Sequence, residues 1–232
     1  MDEWEVRVTD ELLGWVDKLD PKSKGLVVDA IDRLAEAGPG LGRPLVDRLA
    51  GSEIHNLKEL RPASAGSSEI RIIFVFDPWR SAILLVGGDK SGDWLVPKND
   101  STGGKAVRRI CEGTGSRGGQ AMTEFPKWND VRAGLVTDVG GEQALADARR
   151  HNQAYIDGHR LAERRKALGL TQTEVAEHMG ISKSRVSQIE RGEVSTVDVI
   201  ARYVQALGGQ IQITAVFGDD LYILRGTDTQ AA

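Results

Sequence analysis

The first third of the chain changes from helical to strand-like spacing of its apolar residues. Between Leu12 and Leu34 apolar residues recur every three or four positions on both sides of Asp20-Pro21. This spacing predicts two helices in a hairpin. Three strand-like runs follow, and they lie within residues 53–60, 68–76 and 81–88. Helices followed by strands are typical of an α+β domain with an antiparallel sheet.

The pattern changes again after Trp94. Residues 95–121 contain six glycines and almost no apolar periodicity, which predicts a flexible linker. A new helical region opens at Met122, and its register fits one long helix or two short helices that end at Gly169. Near the end, apolar and polar residues alternate on both sides of Gly218, which predicts a β-hairpin.

Between these last two features, "GLTQTEVAEHMGISKSRVSQIERG" carries the most specific motif. Thr171 and Glu174 form a capping-box pair that starts one helix, Gly180 supplies a tight turn, and Ser182 starts a second helix. The apolar positions expected to face inward are Val175, Ala176, Met179, Val186 and Ile189. Two short helices joined in this way predict a helix-turn-helix, whose second helix enters the major groove of DNA.

The outward positions of the second helix hold hydrogen-bond donors suited to base edges and phosphates. We expect DNA contacts from Lys183, Ser184, Arg185, Ser187, Gln188 and Arg191. Gln172, at the start of the preceding helix, is expected to reach a phosphate. Residues 160–191 hold 7 basic and 4 acidic residues within a chain of net charge −4. The alternative is a polar, solvated face on a small helical bundle.

Composition sets wider bounds. The 232 residues, 40% hydrophobic and 28% charged, are enough for two small domains. A single cysteine, Cys111, excludes an internal disulfide framework or a multi-cysteine zinc site and fits a reducing cytoplasm. No apolar run approaches the roughly 18–20 residues of a membrane span, and the N-terminus lacks a signal-peptide pattern. We therefore expect a cytoplasmic protein without a membrane partner, a cofactor or a metal.

The stretch from Gly158 to Gly209 resembles the Xre/HigA type of antitoxin and phage-repressor helix-turn-helix. The residues that carry the resemblance are "HRLAERRKALGLTQTEVAEHMGISKSRVSQIERGEVSTVDVIARYVQALGG". The exposed edges of the short hairpin that follows need to be covered, and a two-fold partner would cover them. We therefore expect a homodimer that reads palindromic operator DNA. The expected second domain, residues 122–232, is all-α apart from this terminal hairpin.

The N-terminal residues "IHNLKELRP" and "SEIRIIFVFDPWRSAILLVGGDKSGDW" are similar to RelE/HigB-like toxins of the phage-derived HigB branch. The resemblance covers residues 54–94 and implies a RelE-like domain over residues 1–94 that cleaves mRNA on the ribosome. A toxin followed by an Xre antitoxin is the order of the Hig type. The chain therefore resembles a toxin fused to the antitoxin that neutralises it and represses its own operon, with toxin–antitoxin contacts within or between chains.

The alternative is a DNA-binding regulator that carries a catalytically dead toxin remnant. Toxins of this branch continue past "KSGDW" into an aromatic-containing helical tail, whereas this chain has no Tyr or His between Trp94 and His151. Residues 1–94 also hold 12 basic and 17 acidic residues, and an acidic balance disfavours docking onto RNA.

RNA cleavage by internal transfer needs a base for the ribose 2′-OH, cations for the phosphate and an acid for the leaving 5′-oxygen. In a toxin site of this kind, we expect Arg61 and Arg71 to clamp the scissile phosphate. Lys58 or Lys90 would supply charge or a proton, and Glu59 would orient the arginines or act as the base. His55 is a second candidate for the base.

Strand parity adds an expectation for Arg71. In "EIRIIFVF", alternation puts Ile70, Ile72, Phe74 and Phe76 on one face and leaves Glu69 and Arg71 on the other. We therefore expect the Arg71 side chain to be accessible.

Overall fold

The computed structural model describes residues 4–49, 57–64, 68–77, 80–90 and 125–225. It divides into two compact units, Met1–Asn152 and Gln153–Ala232. The division falls at residue 152, thirty residues beyond the predicted start of the second domain at 122. The predicted linker, Cys111 and His55 lie outside the described residues.

The first unit combines helices with a five-stranded sheet. Its elements are β1 (Glu5–Val8), α1 (Asp10–Val16), α2 (Pro21–Ala37), β2 (Val46–Arg48), β3 (Leu57–Leu60), β4 (Ile70–Phe76), β5 (Ser81–Asp89) and α3 (Trp128–Asp138). A longer helix, α4 (Glu142–Ala167), starts in this unit and continues into the second. The predicted α+β class is confirmed.

The strands lie in the order β1-β5-β4-β3-β2. Strands β2 to β5 pair antiparallel, as predicted, whereas β1 joins the edge parallel to β5. Neither β1, with four residues, nor β2, with three, was predicted, because runs this short carry little periodicity. Ile72 and Ile73 point to opposite faces and are both fully buried, so the centre of β4 is covered on both sides.

The predicted break at Asp20-Pro21 is the start of α2. The Asp20 side chain accepts hydrogen bonds from the backbone N–H groups of Lys22 and Ser23, and Pro21 occupies the first turn. Thr9 caps α1 in the same way by accepting from the N–H of Leu12. Both helices therefore begin where a side-chain oxygen satisfies the N–H groups that the first turn leaves unpaired.

Residues 125–127 extend the first unit beyond the edge strand β1. The Val8 N–H donates to the Pro126 carbonyl over 3.1 Å, and Arg7 forms an antiparallel bridge with Lys127. The Lys127 ammonium also lies 2.7 Å from a Glu5 carboxylate oxygen and holds the pKa of Glu5 below its usual value. Residues of the predicted second domain thus pair with the first strand of the chain.

The second unit contains the predicted helix-turn-helix. Its elements after α4 are α5 (Gln172–Met179), α6 (Lys183–Glu190), α7 (Val197–Ala206), β6 (Gln212–Phe217) and β7 (Asp220–Arg225). All five positions predicted to face inward are buried, and they form a core with Tyr203 of α7. The predicted β-hairpin is also confirmed, with β6 and β7 joined by Gly218 and Asp219.

The turn chemistry of the helix-turn-helix agrees with the sequence. Thr171 and Glu174 form both hydrogen bonds of a capping box, and Ser182 accepts from the Arg185 N–H. Gly180 has a φ of 63°, a left-handed conformation that favours glycine. On α4, a Cβ at Gly158 would lie 2.6 Å from the Ile189 carbonyl oxygen, so only glycine lets α4 approach the end of α6 this closely.

Within the described ranges, no helix is both long enough and apolar enough to cross a membrane.

Candidate arginine site and helix-turn-helix surface

Three predicted site residues meet on one face of the sheet: Glu59 of β3, Arg61 directly after β3 and Arg71 of β4. Glu59 pairs across the sheet with Ile73, and Arg71 lies two residues before Ile73 on the same strand face. One Glu59 carboxylate oxygen is 3.8 Å from Arg61 Nε, and the other is 3.8 Å from Arg71 Nε. The structure therefore brings together three of the five predicted catalytic residues around the Glu59 carboxylate.

Further carboxylates hold the outer ends of the two arginines. Arg61 Nη1 donates to Asp47 Oδ2 over 3.1 Å, and Arg71 Nη2 donates to Glu69 Oε2 over 3.3 Å. Arg43 adds a third guanidinium group 2.8 Å from Asp47 Oδ2. We call these residues the arginine cluster: Arg43, Asp47, Glu59, Arg61, Glu69 and Arg71. Three guanidinium groups face three carboxylates, so the formal charges of the cluster cancel.

Among the described residues, two donors in the arginine cluster have no hydrogen-bond partner. The Nε atoms of Arg61 and Arg71 are buried and unsatisfied, because 3.8 Å to Glu59 is longer than a hydrogen bond. An unsatisfied buried donor is costly, and in native structures such a donor is accounted for by strain, by a catalytic role or by a bound water or ion. The two N–H groups flank one carboxylate, and both would be free to donate to an anionic oxygen that entered beside Glu59.

Asp47 shows the electrostatics of the cluster most directly. Burial by itself would raise the pKa of the Asp47 carboxyl group. Hydrogen bonds from the Arg48 backbone N–H and the Arg43 guanidinium, with the charges of Arg43 and Arg61, outweigh burial and lower that pKa. Asp47 therefore stays ionised as a partner for Arg61. Sequence reasoning missed it because it lies on the unpredicted three-residue strand β2.

The prediction that Arg71 is accessible is wrong, since the residue is only 8% exposed. Alternation does separate Arg71 from Ile70 and Ile72, but it does not make the second face a solvent face. Ile73, on the same face as Arg71, is fully buried. Tertiary packing therefore covers the side of the strand on which parity places Arg71.

The two predicted lysines lie apart from the cluster centre. Lys58 is adjacent to Glu59 in β3, so its side chain points to the opposite face of the sheet. Lys90 is exposed directly after β5, and its backbone N–H donates to the Glu69 carbonyl over 2.9 Å. Lys90 is therefore anchored beside the Glu69 end of the cluster, whereas Lys58 is not brought to the site.

On the helix-turn-helix, the predicted DNA-contacting side chains of α6 and its end are exposed or half-buried. Lys183, Ser184, Arg185 and Arg191 are exposed, and Ser187 and Gln188 are half-buried. Arg185 donates to Gln188 over 3.1 Å, and Arg191 forms an ion pair with Glu193. Within the part of the chain that the structure describes, Lys183 makes no ion pair. This surface offers charged donors to solvent.

Gln172, unlike the exposed side chains of α6, is part of a hydrogen-bond network inside the second unit. Its side-chain amide donates to Glu190 over 2.9 Å. Glu190 also accepts from Arg165 Nε over 2.6 Å and from the Tyr203 hydroxyl over 2.6 Å. Gln172 thus fixes the start of α5 against the end of α6, and its other amide hydrogen stays a candidate donor to phosphate.

Glu190 is the centre of this buried polar network, which sequence reasoning missed. Burial by itself would raise the pKa of Glu190, but hydrogen bonds from Arg165, Tyr203 and Gln172 lower it below the usual value. Burial and the hydrogen bond to Glu190 raise the pKa of the Tyr203 hydroxyl. The network therefore keeps a carboxylate charged inside the unit and ties α4, α6 and α7 together.

The terminal hairpin exposes a large apolar surface, which we call the hairpin patch. It consists of Val216, Leu221 and Ile223 on one face of the hairpin and Phe217, Tyr222 and Leu224 on the other, each between 52% and 68% exposed. The Phe217 and Tyr222 rings make an edge contact at 5.7 Å between centroids. An isolated two-stranded hairpin is only marginally stable in water, and apolar patches of this kind mark interaction surfaces.

Two family models match the chain. The model described as phage derived protein Gp49-like (DUF891) matches residues 14–106, and a helix-turn-helix model matches residues 161–213. They cover the arginine cluster and the α5–α6 motif, respectively.

Relatives of both parts come from Mycobacterium tuberculosis (strain ATCC 25618 / H37Rv). HigB2, named as a toxin, is 51% identical over 85 residues, which are 37% of this chain and 42% of HigB2. HigB3, also named as a toxin, is 52% identical over 80 residues, 34% of this chain and 68% of HigB3. HigA3, named as an antitoxin, is 42% identical over 103 residues, 43% of this chain and 94% of HigA3. The chain thus spans less than half of HigB2 but nearly all of HigA3.

A solved structure titled as DNA-bound antitoxin HigA3 is 41% identical, with a TM-score of 0.27, and the match covers 29% of this chain and 90% of that one.

Proposed function

The chain belongs to the HigB toxin family and to the HigA antitoxin family, and we propose that it is a toxin–antitoxin fusion in a single polypeptide. In this proposal, the arginine cluster is the site of an mRNA endoribonuclease that acts on the ribosome. The helix-turn-helix binds the operator of its own gene and represses it. The antitoxin half neutralises the toxin half.

The observation that carries the nuclease assignment is the pair of unsatisfied Nε–H donors on Arg61 and Arg71, which flank Glu59. RNA cleavage by internal transfer concentrates negative charge on the phosphate, and two fixed guanidinium groups stabilise that charge. A carboxylate between them can accept the proton of the attacking hydroxyl. The arrangement supplies cations and a base within one cluster.

The proposed reaction proceeds in one transfer. Glu59 takes the proton from the ribose 2′-OH as the 2′-oxygen bonds to phosphorus, while Arg61 and Arg71 hold the phosphate oxygens. The bond from phosphorus to the 5′-oxygen then breaks and leaves a 2′,3′-cyclic phosphate. Lys90, anchored beside Glu69, gives a proton to the departing 5′-oxygen. Lys58 would contribute only charge, because it points to the other face of the sheet.

This assignment is tested by inducing the full chain and residues 1–121 separately and mapping the 5′ ends of cellular mRNA. We expect cleavage and growth arrest from residues 1–121 and neither from the full chain. Arg61→Ala and Arg71→Lys in residues 1–121 should abolish cleavage. Circular dichroism checks that each variant is folded. Cleavage that persists in both folded arginine variants would remove the arginine cluster from the mechanism.

A second candidate function is a DNA-binding regulator with an inactive toxin remnant. The charge balance of the arginine cluster favours it, because each predicted phosphate-binding arginine already faces carboxylates. RNA phosphates would have to displace those carboxylates. Absence of cleavage from folded residues 1–121, together with operator binding by the full chain, would support this second function.

For DNA binding, we propose a homodimer formed through the hairpin patch. Phe217, Tyr222 and Leu224 lie on one face of the hairpin and are more than half exposed, and a second copy would cover that face and a free strand edge. Two copies of α6 would then read the half-sites of a palindromic operator. Phe217→Asp should convert the dimer to a monomer in analytical ultracentrifugation and weaken operator binding. A variant that remains dimeric would exclude the face of the hairpin that carries Phe217 as the interface.

A further inference from the structure

Residues 125–152, which we call the docked segment, pack against α2 in the first unit. Trp128 Nε1 donates to Asp32 Oδ1 over 2.8 Å, and Arg132 forms a bidentate pair with the same carboxylate over 2.8 Å on each side. The hydrogen bonds that Arg132 donates to the Asp32 carboxylate raise the pKa of Arg132. The docked segment is therefore held on α2 by specific charged and aromatic contacts.

The last residue of the docked segment makes a network of buried hydrogen bonds. Asn152 is fully buried, and its amide nitrogen donates to the Leu26 carbonyl over 3.0 Å and to Asp29 Oδ2 over 2.8 Å. Its amide oxygen accepts from the Ala63 backbone N–H over 2.8 Å. Asn152 thus connects α2 to the segment that follows β3.

Ala63 is two residues beyond Arg61, and Pro62 between them has no N–H. The Arg61 N–H donates to the Leu45 carbonyl over 2.7 Å. Hydrogen bonds therefore tie the backbone on both sides of Pro62, in a stretch without regular secondary structure. Within the described ranges, no residue of the docked segment hydrogen-bonds or ion-pairs with the Arg61 side chain. Its connection to Arg61 is through the backbone.

We propose that Asn152 is a positioning residue that keeps Arg61 in its ion pair with Asp47 by fixing the backbone at Ala63, and so withholds Arg61 from phosphate. The proposal rests on the proposed function for the identity of Arg61 as a phosphate ligand. In this proposal, phosphate binding by Arg61 is restrained through the backbone, and no residue of the docked segment has to cover the arginine cluster. When the docked segment leaves α2, the Ala63 N–H loses its acceptor and Arg61 can exchange Asp47 for phosphate.

The test uses the full chain with isotope-labelled arginine and follows the Arg61 Nε–H signal by NMR during titration with inorganic phosphate. Loss of the signal in Arg61→Lys assigns it. Asn152→Ala should shift the signal and tighten phosphate binding at Arg61 about fivefold, the factor that roughly 1 kcal/mol represents. Combining Asn152→Ala with Asp47→Asn should add little, because both changes release the same arginine.

Arg149→Ala is the matched control. Arg149 lies on the same helix turn and pairs with Asp29 and Asp32, but it makes no hydrogen bond to Ala63. The Arg149→Ala substitution should lower the stability of the first unit, while the Arg61 signal and the phosphate affinity stay as in the wild type. Equal responses to Asn152→Ala and Arg149→Ala would overturn the positioning role, as would an unchanged Arg61 signal in folded Asn152→Ala.

A measurement on the wild type covers the case in which Asn152→Ala does not fold. The Ala63 amide should exchange with solvent only through opening of the first unit, at the rate of its slow core amides. Fast exchange at Ala63 would overturn the proposal. These readouts do not involve mRNA. Absence of cleavage from folded residues 1–121, together with an Arg61 signal that responds to Asn152→Ala in the full chain, would defeat the proposed function and leave this inference standing.

Discussion

The two candidate nucleic-acid sites use their cations in opposite ways. In the arginine cluster, Arg71 is 8% exposed, and both predicted arginines face carboxylates. On α6, Lys183 and Arg185 are exposed on a helix surface. RNA must displace protein carboxylates from the first site, whereas DNA need displace only water and counterions from the second. The same residue types therefore indicate a ready binding surface in one unit and a restrained site in the other.

The largest expected effect concerns the ion pair of Arg165 and Glu190. This pair is buried, although it lies in the same unit as the exposed cations of α6. Glu190→Ala removes the acceptor of Arg165 and Tyr203 and leaves a buried guanidinium unpaired, which should cost about 3–5 kcal/mol. Urea unfolding of the full chain, followed for the second unit, measures the loss. Glu193→Ala, whose partner Arg191 is exposed, should cost less than about 1 kcal/mol. Equal costs for the two variants would contradict the role of burial.

The restrained character of the arginine cluster is tested by Glu59→Gln. The change removes the proposed base and one of the carboxylates that face Arg61 and Arg71. We expect mRNA cleavage by residues 1–121 to fall at least roughly 100-fold, while phosphate binding becomes tighter. Glu69→Gln, at a half-exposed position, should retain cleavage within a few-fold. A variant that loses cleavage and phosphate binding together would show that Glu59 only holds the arginines in place.

The exposed character of the α6 surface is tested by Lys183→Ala. Loss of one phosphate contact should weaken operator binding roughly tenfold and lower the slope of log affinity against log salt by about 1. The thermal stability should not change, because the side chain is exposed. Lys18→Ala, with the same charge change at an exposed position in the turn after α1, should bind the operator like the wild type. If Lys18→Ala has the same effect, net charge and not the α6 surface governs binding.

The smallest expected effect is a change in the pH dependence of stability at acid pH, and it depends on the buried carboxylate of Glu190. The folded pKa of Glu190 lies below its unfolded value, so its stabilising contribution is complete above the ordinary glutamate pKa of about 4.3. That contribution is lost as pH falls through the folded pKa. Unfolding free energies of the second unit, measured from pH 7 to acid, should fall less steeply in Glu190→Gln. Identical pH profiles would show that Glu190 titrates normally.

The parts of the molecule predicted best are those that local interactions control. The capping box at Thr171, the left-handed turn at Gly180 and the cap at Ser182 each join residues no more than a few positions apart. Helical periodicity then identifies the buried face of α5 and α6, because the covering core lies within the same unit. For the same reason the outward residues of α6 could be named from their spacing.

The arginine cluster was predicted only in part. Glu59, Arg61 and Arg71 were named from chemistry and resemblance, and they do meet. The burial of Arg71, the partner Asp47 and the edge strand β1 were not foreseen, since each depends on segments distant in the chain. Strand alternation assigns a side chain to a face but does not show whether another element covers that face.

The sequence by itself determined the helix-turn-helix, the hairpin and the α+β class, because hydrogen bonds of caps, turns and periodic elements form between near neighbours. Only the tertiary structure decided where residues 125–152 belong. Asn152 reaches Ala63 and Leu26 across 89 and 126 positions, and Trp128 reaches Asp32 across 96. A contact between residues so far apart in the sequence forms only when the whole first unit folds. The local spacing of residue types therefore does not predict it.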